Sequence, residues 1–274
     1  MKKMNSEVKF KDKINNVILN GKKSFNLLWT MVSRNVKTMY RGSVLGAIWT
    51  VLNPLLTMFI LSFVYSQIFG RAMEGIKYPV YVLSGMILYN TFFRGATVNG
   101  LGSIVSRRAL VMQTQIHITV YPRVEVYTAL VNFLFSLIAL VVVMLIYGQA
   151  FHWTLIFIVV LIVAMLLLSH GVAYVMSVVY VYFRDIKNIY NVLVTMLMYA
   201  TPLFYTVESL NNPLFTKLVN FNPMYYYVDY FRQIIIGNVP SLGYHLMILG
   251  LGLFAYAFGL MFIMHNKKKF IFYM

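Results

Sequence analysis

The chain has 274 residues, 60% hydrophobic and 11% charged, where soluble proteins average about 45–50% and about 25%. Lys and Arg number 23 against 7 Asp and Glu, a formal net charge of +16, and there is no cysteine. These values exclude a soluble globular domain, a disordered tail, a disulfide scaffold, a thiolate metal site and a thiol nucleophile.

Ten of the 23 basic residues precede position 42 and three more form Lys267-Lys268-Lys269. Basic clusters flanking apolar runs mark cytoplasmic membrane flanks rather than a nucleic-acid surface. The first 24 residues are polar and Lys-rich with no apolar core, so no cleavable signal peptide is expected. Gly21-Lys22-Lys23-Ser24 is only part of a P-loop: position 16 is Asn and no strand precedes it, so ATP binding through that motif is not expected.

Residues 25–40 carry apolar side chains at 25, 28, 29, 32, 36 and 39, which predicts an amphipathic helix lying in the cytoplasmic interface. It serves either as a surface anchor or as a shaper of lateral lipid entry. Gly42-Ser43-Val44-Leu45-Gly46 precedes the first span, so it reads as a tight turn beside Arg41 whose N–H groups can meet an anion.

Windows of about 20 apolar residues fall at about 48–69, 79–100, 124–147, 153–182, 189–205 and 243–265. The expected fold is an all-α polytopic membrane protein of six transmembrane helices following a cytoplasmic segment, 1–47. The two sides of that topology carry 19 and 4 basic residues, which places both termini in the cytoplasm of the plasma membrane. The second span is the least regular, because Arg94 falls inside its longer version: either the helix ends early or Arg94 faces a polar pathway.

Between spans two and three, Ser106-Arg107-Arg108 followed by Ala109 to Met112 predicts a short cytoplasmic helix, either a solvated connector or a docking element for a cytosolic partner. Between spans five and six, Leu214–Val219 and Tyr225–Ile236 each follow an Asn-Pro pair that suits a helix start. The second holds Asp229 and Arg232 and is apolar enough to re-enter the membrane from outside, as one of a pair of short outer helices.

Enzymatic chemistry has little material. The seven acidic residues form no close pair within a span, and the five histidines are scattered, so no metal site is expected. His170 lies mid-span; a neutral ring making one interhelical hydrogen bond is the plain reading, and an ion-coupled role the sharper one. The lack of intramembrane carboxylates and of an internal repeat counts against a secondary transporter.

The run from Met39 to Leu55, Met-Tyr-Arg-Gly-Ser-Val-Leu-Gly-Ala-Ile-Trp-Thr-Val-Leu-Asn-Pro-Leu, resembles the start of ABC-2 type permeases that export O-antigen, capsule or teichoic acid. Arg184-Asp185-Ile186 after span four, Asn222-Pro223-Met224 before Arg232, the length and the basic C-terminal end agree with that family. The resemblance implies a homodimeric pathway above two copies of a separate cytosolic ATPase, which would hold ATP and Mg while this chain binds no cofactor. It further implies that Tyr40, Arg41, Gly42, Ser43 and Gly46 lie at the entry of a lipid headgroup. Ser106, Arg107, Arg108, Arg184 and Asp185 would couple to the ATPase, and Asn222, Pro223, Asp229 and Arg232 would belong to the outer gate. Tyr65, Phe69, Tyr89, Phe92, Phe93, Tyr199, Phe204 and Tyr205 are candidates to stack on sugar rings along the pathway, against the background of aromatic belts in any membrane protein. The Lys- and Asn-rich sequence looks like a Gram-positive version, which favours teichoic acid among the substrates, with O-antigen or capsule as the alternative.

Overall fold

The computed structural model describes residues 25–39, 41–46, 48–69, 75–113, 116–207 and 213–267. Helices account for nearly all of them, and no strand occurs among the described residues. In order they are α1 (25–39), α2 (Ile48–Phe69), α3 (Tyr78–Met86), a π-helical stretch Ile87–Arg94, α4 (Gly95–Gly102), α5 (Arg108–Gln113), α6 (Val120–Ile146), α7 (Ile158–Tyr182), α8 (Ile186–Ala200), α9 (Pro213–Phe221), α10 (Pro223–Ile236) and α11 (Leu242–Asn266).

Among the described residues, three helices are long and apolar enough to cross a membrane: Val120–Ile146, Leu242–Asn266, and Trp153–Tyr182 when the 3-10 turn before α7 is included. They correspond to expected spans three, four and six. Ile48–Val64 is a shorter apolar helix. The second expected span is unbroken from Tyr78 to Gly102 but changes winding at Ile87. The fifth stops at Ala200, before the non-helical residues 201–205. At about 1.5 Å per residue, the 15 residues of α8 reach about 22 Å, short of a hydrocarbon core of about 30 Å.

The pair α7–α11 packs most closely. Gly171 lies on the Ala255–Tyr256 backbone, Gly259 on the Gly171 backbone, and a Cβ on Gly252 would sit 2.7 Å from the Ala164 carbonyl. Small residues let the two backbones touch, which substitutes for the hydrophobic drive that lipid removes.

Helix α1 divides its apolar stripe. Leu28 and Val32 are buried against Val120 and Val124 of α6, whereas Phe25, Trp29 and Met39 are exposed. Arg107, from the 3-10 turn before α5, pairs with Glu125 of α6 at 2.5 Å, and Asn35 of α1 donates to the same carboxylate at 3.1 Å. Three elements distant in sequence therefore meet at one end of the bundle.

Helix α10 is not a surface helix. Tyr227, Val228, Tyr230, Phe231, Ile234 and Ile235 have no exposed surface. Asn222 caps its start, accepting from the Met224 N–H at 2.9 Å, and Gly237 (φ 99°) ends it, with a Cβ there only 2.7 Å from the His152 ring. Its backbone is fastened at two further points, where Thr154 donates to the Ile234 carbonyl at 2.7 Å and the Tyr244 hydroxyl to the Tyr226 carbonyl at 3.0 Å.

Candidate functional site

The non-helical segment 201–205 leaves carbonyls that an apolar interior cannot solvate, at a cost of several kcal/mol each, about 2–7 by transfer measurements. Three side chains meet them. Arg232 of α10 donates to the carbonyls of Pro202 (2.8 Å) and Leu203 (3.2 Å), and also to that of Tyr81 (3.2 Å). The Tyr81 hydroxyl lies 2.7 Å from the Tyr205 carbonyl and 3.1 Å from that of Pro202, and Tyr78 donates to the Phe204 carbonyl at 2.8 Å. The Arg232 guanidinium also sits 3.3 Å from the centre of the Tyr81 ring, a desolvated cation–π contact. Asn222 completes the arrangement by donating to Thr201 Oγ1 at 2.7 Å. Of the expected gate set, Asn222 and Arg232 thus converge on one break. Pro223 begins α10, and the Asp229 carboxylate accepts from Tyr244 (2.7 Å) and Gln233 (2.8 Å) rather than from the break.

Beside this break lies a cavity of about 890 Å³. Its wall runs from Met39 and Ser43 at the α1–α2 turn, along Trp49, Thr50, Asn53, Thr57 and Leu61 of α2, to Tyr199 and Phe204. The opposite wall is the face Met86, Ile87, Asn90, Thr91, Arg94, Gly95 and Asn99, with Asn132 contributed by α6. The π-helical stretch matters here. Its wider turn, closed by Gly95 N–H to the Asn90 carbonyl, keeps this polar stripe on one face while Tyr89, Phe92 and Phe93 turn to the core. Of the two options left open for Arg94, the helix continues and Arg94 lines the cavity.

The aromatic candidates separate accordingly. Tyr199 and Phe204 line the cavity. Tyr89 is fully buried and donates to the Val194 carbonyl at 2.6 Å, Phe92 packs with its ring centre 5.2 Å from that of Phe133, and Phe93 packs 5.8 Å from Tyr89, so these three are core rather than wall. Tyr205 is half-buried and donates to the Tyr199 carbonyl at 2.5 Å. Tyr65 and Phe69 belong to α2, but their side chains lie outside the described residues, as does Tyr40 altogether.

Sequence reasoning overlooked Trp49, the asparagines and the threonines of the wall. The signal was present: Thr50, Asn53 and Thr57 recur at helical spacing within an apolar span, as do Asn90 and Arg94. Pro54 adds to it, since it has no N–H for the Thr50 carbonyl; Ser136 Oγ lies 3.3 Å from that oxygen and 2.9 Å from the Asn132 carbonyl.

At the α1 end, Gly42 and Gly46 hold φ of 82° and 51°, so the tight turn is real, and Gly46 N–H donates to Ser43 Oγ at 3.2 Å. Arg34, Lys37 and Arg41 share a groove of about 630 Å³ with Trp29. Arg107 is tied to Glu125, whereas Ser106, Arg108, Arg184 and Asp185 are exposed, with Arg184 set 5.2 Å from the Tyr180 ring. His117, on the connector before α6, is held below its ordinary pKa first by burial and then by Lys267 and Arg123. His170 approaches the Leu166 carbonyl of its own helix at 2.7 Å, an intrahelical contact where an interhelical one was expected. No group of three or more His, Cys, Asp or Glu able to hold a metal occurs among the described residues.

Comparison with known proteins agrees with this architecture. The profile of the ABC-2 type transporter family matches residues 26–236. An O-antigen export system permease protein RfbA of Myxococcus xanthus is 30% identical over 177 residues, 65% of this chain and 67% of its own length. A protein of the same description from Klebsiella pneumoniae is 26% identical over 180 residues, 65% of this chain and 68% of its own. With a family match over most of its length and a helical membrane bundle around a polar-walled cavity, the chain belongs to the ABC-2 type transporter family, a family of membrane transport subunits.

Proposed function

We propose that the chain is the permease subunit of an ATP-driven exporter that carries a lipid-linked polysaccharide across the cytoplasmic membrane. The observation that carries this is the continuous cavity wall from the α1–α2 turn to Phe204, where it reaches the break stapled by Arg232. One end offers cations for a lipid headgroup, Arg34, Lys37 and Arg41, and an exposed Trp29 for its hydrocarbon. The other end offers a backbone break whose bonds can be exchanged to open a passage.

The wall itself suits a glycan. Trp49 and Tyr199 line the cavity with aromatic rings suited to sugar C–H groups, and the amides of Asn53, Asn90, Asn99 and Asn132 offer exchangeable hydrogen bonds. In the six-span topology, α2, the stretch from Tyr78 to Gly102, and α8 with its break complete the three longer crossings. The basic connectors and termini then face the cytoplasm, with Arg108, Arg184 and the apolar Leu110 and Met112 exposed toward a cytosolic ATPase. Two chains and two ATPase subunits, each with ATP and Mg, form the working assembly. The relatives' description as O-antigen permeases favours an O-antigen-like or capsular glycan over teichoic acid.

Deletion of the chain in its native cells tests this reading. Lipid-linked glycan is expected to accumulate inside and disappear from the surface, and the tagged chain is expected to co-purify with an ATP-binding subunit in a two-plus-two complex. Unchanged surface glycan, or transport by a lone chain, overturns it.

A further inference from the structure

Arg94 is the one formal charge on the cavity wall among the described residues. Its guanidinium makes no hydrogen bond or ion pair among them. The described carboxylates are elsewhere: Glu125 is held by Arg107, Asp229 by Tyr244 and Gln233, and Asp185 is exposed before α8. A cation held within a span without a carboxylate is tolerated where it faces a polar, wetted cavity, and there it marks a functional site. The neighbours reinforce this. Asn90 and Asn99 share its helix face, and Asn53 comes from the facing wall of α2; each side-chain amide supplies N–H donors.

We propose that Arg94 and these asparagines form an internal phosphate-binding site, distinct from the basic groove on α1, that holds a phosphate group of the lipid-linked polysaccharide during its passage. The proposal rests on the exporter reading above. Phosphate fits better than a neutral sugar because a planar guanidinium pairs two oxygens at once while amide N–H groups meet the others. Asparagine neutralises nothing, so the anion stays exchangeable, as a transport site requires. The turn preceding Arg94 is π-helical, and this sets its side chain on the cavity face rather than among Tyr89, Phe92 and Phe93.

The phosphate has two possible sources: the linkage between lipid and glycan, or phosphodiesters within the polymer. The test titrates the full chain in nanodiscs with farnesyl diphosphate, farnesol or a short oligo(glycerol phosphate). Trp49, which lines the same cavity, reports binding once Trp29 and Trp153 are replaced by Phe. Arg94→Gln is expected to weaken phosphate binding about tenfold or more, the worth of a charge-assisted hydrogen bond, while Arg94→Lys keeps most of it and farnesol is unaffected by either. Arg94-dependent binding of farnesyl diphosphate assigns the lipid linkage, and Arg94-dependent binding of the oligomer assigns the polymer. Should Arg94→Gln bind both phosphate probes as the parent does, the site is overturned, even if deletion of the chain still strips glycan from the surface. Should deletion leave the glycan in place, the exporter reading falls whatever the titrations give.

Discussion

Arg232 and Tyr81 hold the break at 201–205 together: the guanidinium lies 3.3 Å from the ring centre and bonds the Tyr81 carbonyl, while both side chains reach the carbonyl of Pro202. A buried arginine paired with no carboxylate among the described residues is costly alone. Here its charge is spread over three carbonyl dipoles and a π face, which in turn satisfies a backbone break that no helix could. Arg232→Gln is expected to lower stability by about 3 kcal/mol or more, the cost of orphaning such groups. Arg232→Lys recovers only part, since an ammonium cannot span the same acceptors. Thermal unfolding in detergent followed by Trp fluorescence checks both.

Gly85 makes room for that arginine. A Cβ there would lie 2.9 Å from Arg232 Nη2 and 3.0 Å from Leu203 Cδ2. Gly85→Ala is therefore expected to destabilise by about 1–3 kcal/mol through overpacking, although alanine is the better helix former. An alanine chain as stable as the parent in the same assay would show that Arg232 can shift without loss.

Glu125 joins α6 to the connector and to α1. Glu125→Gln is expected to cost about 1.5–3 kcal/mol, the range for hydrogen bonds to charged groups. A double-mutant cycle with Arg107→Gln should return most of that as coupling energy.

The same pairing separates two roles that look alike in sequence. Charge reversal at Arg107 perturbs the fold, so it cannot report docking cleanly. Arg108→Glu leaves the Glu125 bond intact and is expected to reduce recovery of the ATPase subunit in pull-downs while the permease keeps its melting temperature. Undiminished recovery would remove this connector from the ATPase contact.

His117 gives a pH signature. Its folded pKa lies below the unfolded value near 6.5, so the unfolded chain binds more protons as pH falls through that value. Stability contributed by the neutral ring is present above it and declines below it. Between pH 7 and pH 5 the parent's melting temperature should fall further than that of His117→Gln; parallel curves would assign the acid sensitivity elsewhere.

Composition and periodicity alone determined the membrane class, the apolar windows, the amphipathic helix expected over 25–40 and described over 25–39, and the two Asn-Pro helices, because each rests on local spacing or on a cap within a few residues. The family was legible for the same reason, in ordered short motifs. What tertiary structure decided is which side of each helix faces what. The sequence over 87–94 alternates aromatic and polar residues, and only packing against α6 and α8, with the π turn, sends Tyr89, Phe92 and Phe93 inward and Asn90 and Arg94 to the cavity. Arg107 and Arg108 are adjacent and chemically equal, yet Glu125, 18 residues on, claims only the first. Arg232 could have been a surface cation; burial against carbonyls about 30 and 151 residues away makes it a staple. Local spacing fixes helices, but the partner of a buried charge is set by the chain's return from far away.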